Sequence, residues 1–212
     1  MHIPDGFLPP SIAIAGYGAT GGLTWYSLYQ INRSKNSQEQ IPKASLLTAA
    51  FFLASLIHIP IPPTSVHLIL NGLMGAILGY YAFPAILIGL LFQAIMFQHG
   101  GLSTLGINAV IMGIPALLSY HIFHLRHHLG QHKPSWQGIW AFLAGFSGIA
   151  LGALFYTLLV ATNISNDLNA QAEITAIYAS LFAHGILAVI EGIFTVMLVS
   201  FLQQVKPELL EN

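Results

Sequence analysis

Apolar residues run through this chain in blocks long enough to cross a bilayer, separated by short polar or proline- and glycine-rich breaks. At about 20 residues per span, the pattern predicts seven helices. The first covers residues 9 to 31 and ends in the polar stretch Asn32 to Lys43. From Ala44 to Leu125 there is no Asp, Glu, Lys or Arg, so the divisions must fall at proline and glycine. Pro60, Pro62 and Pro63 make one break, Pro84 a second, and His99-Gly100-Gly101 a third. The resulting spans are 44 to 59, 66 to 83, 84 to 98 and 107 to 124, with a sixth at 136 to 162. A seventh, 175 to 203, follows the polar loop Asn163 to Glu173. The expected fold is all-α, a polytopic membrane helix bundle forming one domain over residues 1–212.

Composition agrees with this class. The chain is 55% hydrophobic and 6% charged, against about 25% charged residues in a soluble domain. Six Lys and Arg at a net charge of −1 make no basic stripe, which argues against a nucleic-acid partner. Cysteine is absent, so disulfides, thiolate ligands and cysteine nucleophiles are excluded. A metal site here would have to use nitrogen or oxygen, with methionine sulfur a weak third option. Seven spans with the N-terminus outside put Arg33, Lys35, Lys43, Arg126, Lys133 and Lys206 on the cytoplasmic side, together with the C-terminus. The outer loop then carries Asp167 and Glu173 and no base.

Candidate chemistry begins at the first residue. Met1-His2-Ile3-Pro4-Asp5-Gly6 enters a span almost at once, and Pro4, Asp5-Gly6 and Pro9-Pro10 stiffen a segment that is usually loose. A transition metal could take the Met1 amine, the deprotonated amide nitrogen of His2 and the His2 imidazole in adjoining five- and six-membered chelate rings. Such donors suit square-planar Ni(II) or Cu(II), whereas calcium and magnesium prefer oxygen. The opening lacks the basic n-region and uninterrupted apolar core of a removable signal, and bulky His2 disfavours methionine excision, so Met1 is expected to stay. The fourth donor must come from elsewhere. The predicted topology places His58, His67 and His99 on the same outer face as His2. His67 follows the stiff segment Pro60-Ile61-Pro62-Pro63-Thr64-Ser65-Val66, and His99 lies in a glycine-rich loop able to fold inward.

Three segments carry a family resemblance: Met1 to Pro10 (MHIPDGFLPP), Ser65 to Gly75 (SVHLILNGLMG) and Phe92 to Gly101 (FQAIMFQHGG). Across essentially its whole length the chain resembles the nickel/cobalt-specific substrate-binding (S) component of energy-coupling factor (ECF) transporters. That resemblance implies a seven-helix protein of the prokaryotic cytoplasmic membrane that binds Ni(II) or Co(II) as transported substrate, with no permanent cofactor. It implies ligation by the Met1 amine, the His2 amide and imidazole nitrogens, and the His67 imidazole. His99, Asp5 and Asn71 are then candidates for supporting the ligands or replacing one. The implied partners are a membrane scaffold (T) subunit, paired ATPases and a small accessory membrane protein. The chain has no Walker motif and is not expected to be an enzyme, so ATP hydrolysis would fall to those partners.

Other motifs read more plainly. The run His124 to His132 (HLRHHLGQH) has helical metal-site spacing, but on the cytoplasmic side it is expected to be a solvated loop, with a transient exit site as the alternative. His184 and Glu191 lie two turns apart on the last span. An ionisable residue inside a membrane is a functional candidate by default, but packing against Asn71, Gln93 or Asn108 is the preferred reading of Glu191. Small residues Ala15, Gly16, Gly18, Ala19, Gly21 and Gly22 give the first span a face for close helix contact, inside the bundle or on a scaffold subunit. The competing function is an autonomous seven-span proton-coupled cation carrier or channel. Against it, no internal inverted repeat is visible, and no lysine falls inside an apolar span to serve a retinal pump.

Overall fold

The computed structural model describes residues 1–34, 37–61, 64–129, 134–163 and 170–210. Pro62, Pro63, Lys35, Lys133, Asp167 and the end of the histidine run at 130–132 lie outside the described residues. The order is α1 (Pro10–Arg33), α2 (Ile41–Ala54), β1 (His58–Ile61), β2 (Thr64–His67), α3 (Asn71–Leu78), α4 (Ala82–Phe97), α5 (Leu105–Leu129), α6 (Pro134–Ala161) and α7 (Ala170–Val205). The protein is therefore mostly helical. Among the described residues, four stretches are long and apolar enough to cross a membrane: Asn71–Phe97, Leu105–His127, Trp136–Ala161 and Ile174–Val205.

The first of these is not one straight rod. Twenty-seven helical residues would span about 40 Å, yet the rings of His67 and His99, just before and just after it, lie 5.1 Å apart. The chain turns back at Gly79, whose φ of 58° and ψ of −128° are readily adopted only by glycine. Both arms lean on α5. A Cβ at Gly75 would meet the Ala116 carbonyl oxygen at 1.9 Å, and one at Gly113 would meet the Phe83 ring at 2.4 Å. The sequence pattern put this break at Pro84. Proline is tolerated in the first turn of a helix, so Pro84 sits inside α4 and the reversal falls at the glycine.

A second difference concerns residues 44 to 59, expected as one helix. Helix α2 stops at Ala54, and β1 and β2 pair as an antiparallel hairpin with His58 opposite His67. The β-branched residues Ile59, Ile61, Thr64 and Val66 favour extended backbone. One cross-strand register thereby fixes two histidines side by side.

Close backbone contacts lock the bundle. Gly72 of α3 meets α6, where a Cβ would lie 2.5 Å from the Ala144 carbonyl oxygen, and Gly148 meets Gly72 in return. Asn71 donates to Met112 O at 3.1 Å and Gly148 O at 3.0 Å, tying α3 to α5 and α6. Ser119 Oγ donates to Ala144 O at 2.8 Å. Of the small residues of α1, Gly16 faces inward against Ile107, while Gly18, Gly21 and Gly22 have open space beside them. Thr20 extends the inward contact by donating to Gly106 O at 2.6 Å.

Candidate metal centre

The N-terminal arm is threaded into the bundle end formed by the β-hairpin, the α4–α5 loop and the start of α5. Ile3, with no exposed surface, is held on both sides of its peptide. Its N–H donates to Asn108 Oδ1 at 2.9 Å, and its carbonyl accepts from Thr104 Oγ1 at 2.6 Å and Asn108 Nδ2 at 3.0 Å. Two residues on, Asp5 accepts from the N–H groups of Leu102 at 3.2 Å and Ser103 at 2.8 Å and from Ser103 Oγ at 2.5 Å. The Ser103 hydroxyl holds the Asp5 carboxyl below its usual range, helped by the loop amides. Pro4 to Phe7 then form a turn with Gly6 at φ 79°, which leads the chain into α1.

The loop leaves room for this arm because it is glycine. A Cβ on Gly101 would sit 2.1 Å from Asp5 Oδ1 and 2.6 Å from the Asp5 backbone nitrogen. Gly100, at φ 79°, packs on His2 and Asn108. His99 is set by the end of α4, where Gln98 adopts φ 52° and the His99 N–H reaches back to Gln93 O at 3.1 Å. That is the usual closure of a helix by a left-handed residue.

These constraints bring three imidazoles into a triangle. The ring centroids of His2 and His67 are 5.0 Å apart, those of His2 and His99 4.9 Å, and those of His67 and His99 5.1 Å. His58 stands just outside, 6.1 Å from His67 and 6.2 Å from His99. The rings face one another more than they converge on a point. Among the described residues no three His, Asp or Glu side chains form a ready metal cage. Ligation here would therefore need backbone donors as well.

Both ring nitrogens of His2 and Nε2 of His67 are sealed from solvent with no hydrogen-bond partner. A buried polar atom left unpaired is costly, and so much unpaired imidazole nitrogen in one place requires an explanation. His67 Nδ1 lies 2.9 Å from Leu68 O. A carbonyl can only accept, so Nδ1 carries the proton and the lone pair is on Nε2. Burial lowers the Met1 amine from 8.0 to about 5. Burial, then repulsion from that amine, lowers His67 from 6.5 to about 3. The same two causes bring His2 well below its usual value and lower the half-buried His99. All these nitrogens favour the neutral form, which is the form that can donate to a metal.

Asn71 lies deeper, spent on the α3–α5–α6 contact, and Asp5 is spent on the α4–α5 loop. Sequence reasoning did not single out Asn108 and Thr104 as anchors of the arm. The available signal was Asn108 itself, an amide in an otherwise apolar span. Glu191 is paired neither with Asn71, Gln93 nor Asn108 but with the backbone N–H groups of Ile69 at 2.5 Å and Leu70 at 2.8 Å. The expected loop at His124 is helical as far as Leu129, with the His124 ring 4.4 Å from Tyr120 and 5.3 Å from His127.

Fold and site together define a class: a multi-pass membrane helix bundle with a buried cluster of imidazole nitrogens covered by its own N-terminal arm. The chain belongs to the family described as the cobalt uptake substrate-specific transmembrane region, whose model matches residues 2–209. It is 31% identical to the cobalt transport protein CbiM of Clostridium tetani, covering 96% of this chain and 85% of that one. It is also 31% identical to the fused nickel transport protein NikMN of Rhodobacter capsulatus, covering 99% of this chain and 64% of the fused one. The crystal structure of a truncated transition-metal transporter superposes with a TM-score of 0.81 at 26% identity, covering 97% of this chain and 99% of the other. Cobalt and nickel are thus the transported substrates of the family, and its members are transporter components, not catalytic enzymes.

Proposed function

We propose that this chain captures Ni(II) or Co(II) at the outer face of a prokaryotic cytoplasmic membrane. It then delivers the ion inward as the S component of an ATP-driven ECF importer. The carrying observation is the set of partnerless nitrogens on His2 and His67 beside a buried, neutral terminal amine. The Met1 amine, the deprotonated His2 amide and His2 Nδ1 supply three donors in fused chelate rings, and His67 Nε2 supplies the fourth. His99 lines the pocket as the supporting or substitute ligand.

The whole chain acts as one substrate-binding domain, with residues 1–8 inserted into the bundle as part of the site. It crosses the membrane seven times, the α3 crossing being short and preceded by the extended segment from His67. Several observations support an outer N-terminus and a cytoplasmic C-terminus. Lys43 donates to Leu209 O and Arg126 to Leu210 O. Arg33 shares a cleft with Gly79, Tyr81 and Tyr120. These cations gather at the end away from His2, His67 and His99, as a cytoplasmic face requires. A scaffold subunit, paired ATPases and a small accessory membrane protein complete the transporter and provide the ATP hydrolysis.

The test is to purify the chain with an untagged N-terminus and measure bound metal and its spectrum. One nickel per chain, diamagnetic and yellow to orange, is the expected result. Failure to bind either Ni(II) or Co(II) would overturn the assignment.

A further inference from the structure

The segment that carries His67 is held from behind by a carboxylate. Strand β2 ends at His67 and α3 begins at Asn71. Between them, Leu70 takes a left-handed conformation, φ 58° and ψ 11°, which side-chain-bearing residues seldom adopt. Leu70 is also the N-cap of α3 and offers no side-chain oxygen to the free amides at the helix start. An acceptor from another helix takes the two amides just ahead of α3 instead. Glu191 of α7, 1% exposed, takes the Ile69 N–H on Oε1 at 2.5 Å and the Leu70 N–H on Oε2 at 2.8 Å.

The support behind this clamp is stiff. Glu191 O accepts from Thr195 Oγ1 at 2.7 Å, and a Cβ on Gly145 of α6 would lie only 2.9 Å from that same carbonyl. The clamped connection also reaches the imidazole directly, since Leu68 O receives the His67 Nδ1–H. One carboxylate therefore fixes two consecutive amides next to the carbonyl that sets the tautomer and direction of His67. An acid inside an apolar bundle is expensive, and an apolar residue could fill the space without that cost.

Resting on the reading that His67 ligates the metal, we propose that Glu191 is the positioning residue of that ligand. It locks the Leu68–Leu70 connection to α7, so that His67 Nε2 is presented at a fixed depth and angle and moves only when α7 moves.

Nickel affinity is measured by competition with a chelator in wild type, Glu191→Gln, His67→Ala and the double variant. Amide hydrogen exchange is followed in the metal-free proteins. Glu191→Gln replaces one acceptor by an NH2 facing an N–H. Loss of an outer partner of a ligating His costs about 10–100-fold in affinity, and that is the expected loss. The same change in the His67→Ala background should cost nothing further, because the clamp acts through His67. Ile69 and Leu70 amides should exchange at least ~10-fold faster in Glu191→Gln, since they lose the acceptor that protects them. Wild-type affinity in Glu191→Gln, or an equal loss in both backgrounds, would overturn the proposal. If His67→Ala binds nickel like wild type, the proposed ligand set fails, and exchange at Ile69 and Leu70 still decides whether the clamp exists. Should Glu191→Gln not fold, Glu191→Asp keeps the charge but is one methylene short. Reduced nickel affinity then supports the proposal and wild-type affinity overturns it.

Discussion

The imidazoles of His2 and His67 lie 5.0 Å apart and inclined by only 24°, although one belongs to the N-terminal arm and the other ends a β-strand. Each is placed by a different part of the molecule: His2 by the Ile3 peptide on α5, His67 by the hairpin and the α7 clamp. Neither ring satisfies the other, because Nε2 of His67 and both nitrogens of His2 remain without hydrogen bonds. In the proposed site, an added cation is what would join the pair.

The arm must then be in register. A residue inserted between Met1 and His2 moves the amine out of its five-membered chelate ring, and acetylation removes the amine as a donor. Either change is expected to abolish high-affinity nickel binding while leaving the thermal transition of the metal-free protein within a few degrees of wild type. Titration calorimetry and thermal unfolding of the same preparations check this, and unaltered affinity in either variant refutes the chelate.

His67 and His99 occupy equivalent sides of the triangle, yet their chemistry differs. Nε2 of His67 is sealed and unpaired, whereas His99 is half-buried. His67→Ala should therefore fall to the weak residual affinity of the three N-terminal donors, with His99→Ala retaining more of the wild-type affinity. The reverse order, measured by equilibrium dialysis, would reassign the fourth ligand to His99.

Much of this architecture is legible in the sequence because it follows from local chemistry. Apolar block length gives the membrane bundle, and the family is carried by Met1 to Pro10 and the blocks around His67 and His99. What local chemistry does not contain is partnership at long range. Pro84 looked like the break and Gly79 did not, and only the packing of Gly75 and Phe83 on α5 decides that the chain reverses at the glycine. Residues 58 to 67 read as the end of a span and a stiff link, because a four-residue hairpin in an apolar setting has too short a period to stand out. Glu191 could be recognised as needing partners, but acceptance from two backbone amides about 120 residues away has no side-chain signature.

The arm's anchors offer a further check. Asn108→Ala removes both the acceptor of the Ile3 N–H and a donor to its carbonyl, leaving buried peptide groups short of partners at about 1–3 kcal/mol. Nickel affinity should fall by roughly ten- to a hundredfold as the arm detaches more often. Gly101→Ala forces a Cβ to within 2.6 Å of the Asp5 backbone nitrogen, a contact that no side-chain rotation relieves. It should weaken binding at least as much. Limited proteolysis of the N-terminus in each variant distinguishes a released arm from an altered ligand, and a protected arm with full affinity would refute the anchoring role.

Proton competition follows from burial. Reference values alone, about 7.7–8.0 for a terminal amine and about 6.5 for histidine, predict more than one proton released per metal and affinity fading from about pH 8 to about pH 5. The structure alters that expectation, since burial brings the Met1 amine to about 5 and His67 to about 3. At pH 7 both are already neutral in the folded protein, so metal need displace only the His2 amide proton. The expected release is about one proton per nickel at pH 7, rising toward two as the amine begins to hold its own proton near pH 5. For the metal-free protein, the amine binds fewer protons folded than unfolded between about 5 and 8.0. Stability therefore rises with pH across that window and is lost as pH falls through it. Calorimetry in buffers of differing ionisation enthalpy counts the protons. A count near zero at pH 7 rejects the amide chelate, and a count of two or more at that pH rejects the neutral buried amine.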